Sequence, residues 1–236
     1  MPVRTTPARA AAPPAPTSPP SAPTSPPPAR FTPPDLVDLR TAWTRERELA
    51  RRPDTRHDDG FGVACTGRHG WLLDDGYDAV LEPALGPNAG VGAGYYPFAA
   101  LDGTAAAGLL ERLPEEYLAT ERQNLGPTIG AVLRAVVRRP DRLRAQGYVV
   151  GPLRCDERIT VTEVLLRTDH ELHLDRRHSG PCECHDLFTL LTGELGVDDM
   201  HTPPDEIAPW WGRVGADDAA DDGADDDTHW YRLWWD

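Results

Sequence analysis

The densest run of chemistry-bearing side chains is His178-Ser-Gly-Pro-Cys182-Glu-Cys184-His185. Two thiols and two imidazoles in one short loop form the soft donor set that suits tetrahedral zinc. His170 and His173 lie upstream, and Cys65 with His69 offers a second arm. The metal reading therefore takes Cys182, Cys184, His185 and His178 as ligands, with zinc as the cofactor. The spacing works against it. Structural zinc typically has two to four residues between paired cysteines, and only Glu183 separates Cys182 from Cys184. Two other readings use the same residues. Cys184 faces a core from a helix, or a cysteine at a helix start has a lowered pKa and serves as a redox-sensitive thiol.

A second group is basic: Arg134, Arg138, Arg139, Arg142, Arg144, Arg154 and Arg158. Three helical segments (104–113, 114–123 and 128–139) followed by strands at 148–150 and 159–166 give the element order of a winged helix. In that arrangement the third helix enters the major groove and the wing touches the phosphate backbone. Against it, the third helix has few side chains for reading base edges. Element order alone does not establish function either. The plainer reading is a solvated basic strip balanced by carboxylates elsewhere. If DNA binds, the acidic run 217–227 is placed to compete with phosphate for these arginines as an intramolecular brake.

Catalytic motifs are not evident. His57-Asp58-Asp59, Asp74-Asp75, Asp156-Glu157 and His170/His173 have acid–base side chains, but none sits in a recognisable pattern. Gly90, Gly92 and Gly94 lack the Lys-Ser/Thr ending of a phosphate loop and the strand-to-helix setting of a dinucleotide site. The chain has no lysine, which removes Schiff-base chemistry and the Walker lysine.

The elements that position these groups follow from periodicity. Ile129, Val132, Leu133, Val136 and Val137 recur at helical spacing and predict one buried face, ended by Pro140. A first helix opens after Pro33-Pro34, with Leu36, Leu39, Trp43 and Ala50 on its apolar side and Arg40, Arg47 and Arg51 opposite. Residues 61–81 predict short strands with tight turns, and 82–97 a flexible loop. Residues 141–146 predict a turn of helix. Strand 159–166 alternates, with 172–174 as a hairpin partner. Cys184, Leu187, Phe188, Leu191 and Leu195 predict a helix ended by Gly196. Residues 203–211 predict a short helix or turn, and the aromatic segment 229–236 a strand that returns to the sheet.

The 236 residues bound the fold to one or two domains. The Pro-rich arm 1–30 and the acidic loop 216–228 lack the apolar surface for a core, leaving one α+β domain at 31–215: several helices against a short, mainly antiparallel sheet. A net charge of −14 argues against a general nucleic-acid or membrane binder, and no run is long enough to span a bilayer. With no secretory signal at the start, the expectation is a cytoplasmic chain whose four cysteines stay reduced. The function these observations favour is a non-catalytic binding or regulatory protein. An unidentified protein partner leads, and DNA and a zinc-dependent enzyme or zinc-stabilised module stand as alternatives. Trp210-Trp211 and the 230–235 aromatics would anchor such a partner if they stay exposed.

Overall fold

The strongest sequence signal becomes the helix at the centre of the molecule. In the computed structural model, which describes residues 38–52, 69–85, 94–175, 180–211 and 229–236, α6 (Ile129–Arg138) is capped by Thr128, whose hydroxyl accepts the Ala131 N–H. Its N-terminus is fixed again by Asp199, which takes both the N–H and the hydroxyl of Thr128. Ile129, Val132, Leu133, Ala135 and Val136 are buried. Val137, assigned to that face by its spacing, is 39% exposed. Ala135 is buried in its place. Two flanking helices, α4 (Gly103–Arg112) and α5 (Glu115–Thr120), pack against α6, which lies over the sheet.

The sheet has five antiparallel strands: β1 (Tyr95–Leu101), β2 (Leu143–Val150), β3 (Arg158–Thr168), β4 (Glu206–Trp210) and β5 (His229–Trp234), in the order β1-β2-β3-β5-β4. The fold is thus α+β, as the element pattern predicts. Three expectations about strands change. Of residues 141–146, expected as a helical turn, only 141–142 lie in a turn after α6; 143–146 are the first half of β2, with Leu143 and Ala145 buried. Residues 172–174 do not pair with β3; β5 does, with Glu163 opposite Trp234 and Thr168 opposite His229. Residues 206–210 are strand β4 rather than a helix or turn, and Pro209 is tolerated because β4 is an edge strand.

The stretch after His69 is helical, not stranded. Leu73, Tyr77 and Leu81 repeat every four residues and are buried in two short helices, α2 (Trp71–Asp74) and α3 (Tyr77–Leu81). The Asp75-Gly76 pair that suggests a hairpin turn is the corner between them, with Gly76 at φ +75°. Helix α1 (Leu39–Ala50) buries Leu39, Trp43 and Ala50. Its opposite side is not merely solvated. Arg40 pairs with Asp78 at 3.1 Å and Arg47 pairs with Asp74, so two arginines tie α1 to α2 and α3. The start of β1 falls inside the stretch expected to be loop. Its Tyr-Tyr-Pro-Phe run alternates in burial, and Tyr96 and Phe98 reach the core.

Helix α7 (Cys184–Thr189) continues into a π-helical turn over Leu190–Glu194, and Gly196 follows at φ +65°. The described residues belong to one compact unit, Asp35–Asp236, and none of their helices is long and apolar enough to cross a membrane. The arm 1–30, the helix opening near Pro33-Pro34, the glycine run 86–93, most of the 61–81 strand expectation before His69, and the acidic loop 216–228 lie outside the described residues.

The hairpin β2–β3 carries a register shift at Gln146/Gly147, where Thr162 is the extra residue on β3. A Cβ on Gly147 would collide with the Thr160 carbonyl oxygen and stand 2.9 Å from Phe98 Cζ. Gly147→Ala is therefore expected to cost about 1–3 kcal/mol of stability, read as a lower urea midpoint at unchanged slope. Gly193→Ala, where an added Cβ meets nothing within 4 Å, should stay within about 0.5 kcal/mol of the parent.

Candidate functional site

The Cys182/Cys184 segment is pinned into a tight loop by its own backbone. His173 N–H donates to Glu183 Oε2 at 2.6 Å, and Glu183 N–H donates to the His173 carbonyl at 2.9 Å. Asp175 N–H donates to Cys182 Sγ at 3.3 Å, and Gly180 N–H to Asp175 Oδ2 at 3.0 Å. At its base, Leu172 N–H donates to the Tyr231 hydroxyl at 2.5 Å, anchoring the loop to β5. Sequence position alone brings Cys182 and Cys184 near each other; this lacing decides which way they face.

They face a cavity of about 650 Å³ beneath the start of β4. Leu174, Phe188, Ile207, Pro203 and Pro204 form its apolar walls, and Asp175, Asp205 and Glu206 its acidic ones. Arg232 pairs with Glu206 at 2.8 Å from the neighbouring strand, and Asp205 Oδ2 accepts the Asp236 N–H at 2.9 Å. No arginine is among the described lining residues. Both thiols are half-buried, and the two hydrogen-bond each other. That bond chiefly holds the Cys182 thiol below its usual range, while burial chiefly pushes Cys184 up.

Three of the four expected zinc ligands, Cys182, Cys184 and His185, line the cavity together. His185 lines the cavity but is an exposed residue, and His178 lies outside the described residues, as does Cys65. Among the described residues no three His, Cys, Asp or Glu side chains converge to hold a metal ion. His170 and His173 lie in the extended segment after β3. The expectation that every cysteine is reduced also changes, since Cys155 is disulfide-bonded.

The seven arginines separate into groups. Arg139 pairs with Asp141, Arg142 with Asp169, and Arg144 stacks over the Trp230 ring near the α6–β2 junction. Arg154 and Arg158 both pair with Asp156 at the opposite end of the β2–β3 hairpin. Eight residues of β2 separate the two ends, about 23 Å at strand rise and beyond a physiological Debye length of about 8 Å. Arg134 pairs with Glu115, and Arg138 donates to the Leu195 carbonyl. The hairpin that would be a wing is interior to the sheet, with β1 on one side and β5 on the other.

Two further polar clusters join the first helices to the sheet. Glu46 accepts the Tyr96 hydroxyl at 2.6 Å and the Gly94 N–H at 3.0 Å. Glu157 accepts Gly70 N–H at 2.6 Å and Leu72 N–H at 2.9 Å, while His69 Nδ1 donates to the Pro152 carbonyl at 2.9 Å. The sequence offers Glu157 as half of an acid–base pair and Glu46 as a local partner of the α1 arginines; in the structure both reach residues far along the chain. The cavity walls at Leu174, Phe188 and 203–207 were missed as a site, because their meeting depends on where β4 lies. No protein-family model, curated protein or solved structure matches the chain.

Burial pushes the Glu157 carboxyl up to about 7, against the backbone N–H groups of Leu72, Gly70 and Trp71 that lower it. A carboxyl raised on folding binds more protons in the folded state. Its contribution is complete below about pH 4.5 and is lost as pH rises through about 7. Urea unfolding between pH 4.5 and 8 should thus show stability falling over that window. Glu157→Gln should flatten part of the slope, with Glu46, Glu121 and Glu163, also raised by burial, supplying the rest.

Proposed function

We propose that this chain is a non-catalytic binding protein whose ligand occupies the cavity beneath β4. The observation that carries the reading is the cavity itself. Its volume of about 650 Å³ falls in the roughly 300–1,000 Å³ range of small-molecule sites. The walls describe the ligand. Phe188, Leu174, Ile207 and the two prolines favour an apolar body, and Asp175, Asp205 and Glu206 favour an amine or guanidinium at its end. A binding role also suits the lining chemistry, in which the thiols bond to each other and Cys182 takes a backbone N–H.

The test compares 2-naphthylmethylamine with 2-naphthylacetate, which share a ring system and differ in charge. The amine should raise the Tm in a concentration-dependent way, reaching about 2.7 kcal/mol of added stability at a hundredfold excess over Kd. The carboxylate should not. Ile207→Trp fills the cavity with apolar volume and should abolish the amine's effect while the protein stays folded. A shift that survives Ile207→Trp, or no shift with either compound, overturns the reading.

A further inference from the structure

The two cavity thiols are placed to react as a pair. Only Glu183 lies between them, and its backbone is bent, at φ −92° and ψ 13°. A compact residue at that point draws the flanking Cα atoms toward the separation of about 5.5–6 Å that most disulfides span. The sulfurs already hydrogen-bond each other. Both line the cavity, so a ligand inside it meets them from the same side. Their surroundings differ. The Cys182 sulfur accepts the Asp175 N–H, which supports negative charge on sulfur, whereas Cys184 is the more desolvated of the two. That asymmetry is the one a thiol–disulfide couple needs: an accessible sulfur that carries charge and attacks, and a neighbour that resolves.

We propose that Cys182 and Cys184 form a dithiol–disulfide couple that exchanges with a low-molecular-weight disulfide entering the cavity, Cys182 attacking and Cys184 resolving. The inference rests on the reading that the cavity admits a ligand. In the first step the Cys182 thiolate attacks one sulfur of the incoming disulfide. Its S–S bond breaks, a mixed disulfide forms on Cys182, and the leaving thiolate takes up a proton. In the second step Cys184, as thiolate, attacks the Cys182 sulfur and expels the other half. The two cysteines lose two electrons and two protons, and the external disulfide gains both as two thiols.

Net negative charge in the lining gives a neutral reagent the clearest outcome, so the probe is 2-hydroxyethyl disulfide with the full chain. Intact mass and peptide mapping follow the products. The expected result is one new internal disulfide, mapped between Cys182 and Cys184, with no mixed disulfide accumulating. Cys184→Ser should trap the mixed disulfide on Cys182. Cys182→Ser should react at least about tenfold more slowly, through Cys184 alone. Wild-type protein carrying two separate mixed disulfides, or equal rates for the two serine variants, overturns the proposal. The wild-type mapping stands whether or not a variant folds. Tm shifts of both serine variants with 2-naphthylmethylamine separate the two claims. A retained shift with failed exchange sinks the redox couple alone, and a lost shift with intact exchange sinks the amine-binding reading alone.

Discussion

The placement of β5 between β3 and β4 is the constraint on which the rest of this structure depends. Strand β4 has β5 as its single neighbour, so it reaches the sheet only through the terminal segment. That segment is held by more than its ladder. Leu233 is fully buried, Tyr231 and Trp235 nearly so, and burying large apolar side chains of this kind is worth about 1.5–3 kcal/mol each. Trp235 also donates its backbone N–H to Thr162 and its indole N–H to Thr202. The Tyr231 hydroxyl receives Leu172, which starts the loop that carries the two thiols. One strand therefore positions both walls of the cavity, β4 on one side and the cysteine loop on the other.

The far end of the molecule is joined differently. There the links between the first helices and the sheet are buried carboxylates: Glu46 on Tyr96 and Gly94, Glu157 on Gly70 and Leu72. Glu157 closes the start of a four-residue helix, α2, whose own N-cap is a glycine with no side chain to do so. Orphan N–H groups of a short helix are thus satisfied from a residue just ahead of the distant strand β3. Arg40 and Arg47 complete the join on the solvent side, where ion pairs add little energy but fix orientation. The acidic balance of the chain is in this sense structural as well as compositional. Many of the arginines are matched to particular aspartates.

What could be read from the sequence was what local pattern decides. Helix α6 was legible because its apolar spacing and its terminating Pro140 agree with one another. Strand β3 was legible because β-branched residues dominate it. The first half of β2 was missed, since its two buried apolar residues, Leu143 and Ala145, are interleaved with the polar Arg144 and Gln146. The α2–α3 corner was misread because Asp75-Gly76 serves a helix end as well as it serves a hairpin. The cysteine loop was visible as a cluster of donors. Its geometry was not, because the hydrogen bonds of Glu183, Asp175 and Tyr231, rather than spacing, decide which way the two sulfurs face. The cavity was beyond local pattern altogether, since Ile207, Phe188 and Leu174 meet only through pairings between residues far apart in the chain.

The position of β5 also bears on how the molecule is made. Glu163 waits for Trp234, a partner 71 positions later. Until His229–Trp234 has left the ribosome, residues 163–168 of β3 present an open hydrogen-bonding edge, and β4 has nowhere to dock. An unfilled edge of that kind is a template for another nascent chain. Seven aspartates between positions 217 and 227 are synthesised immediately before the strand that closes the gap. Like charge of that kind raises repulsion between neighbouring polypeptides at the stage when association is most hazardous.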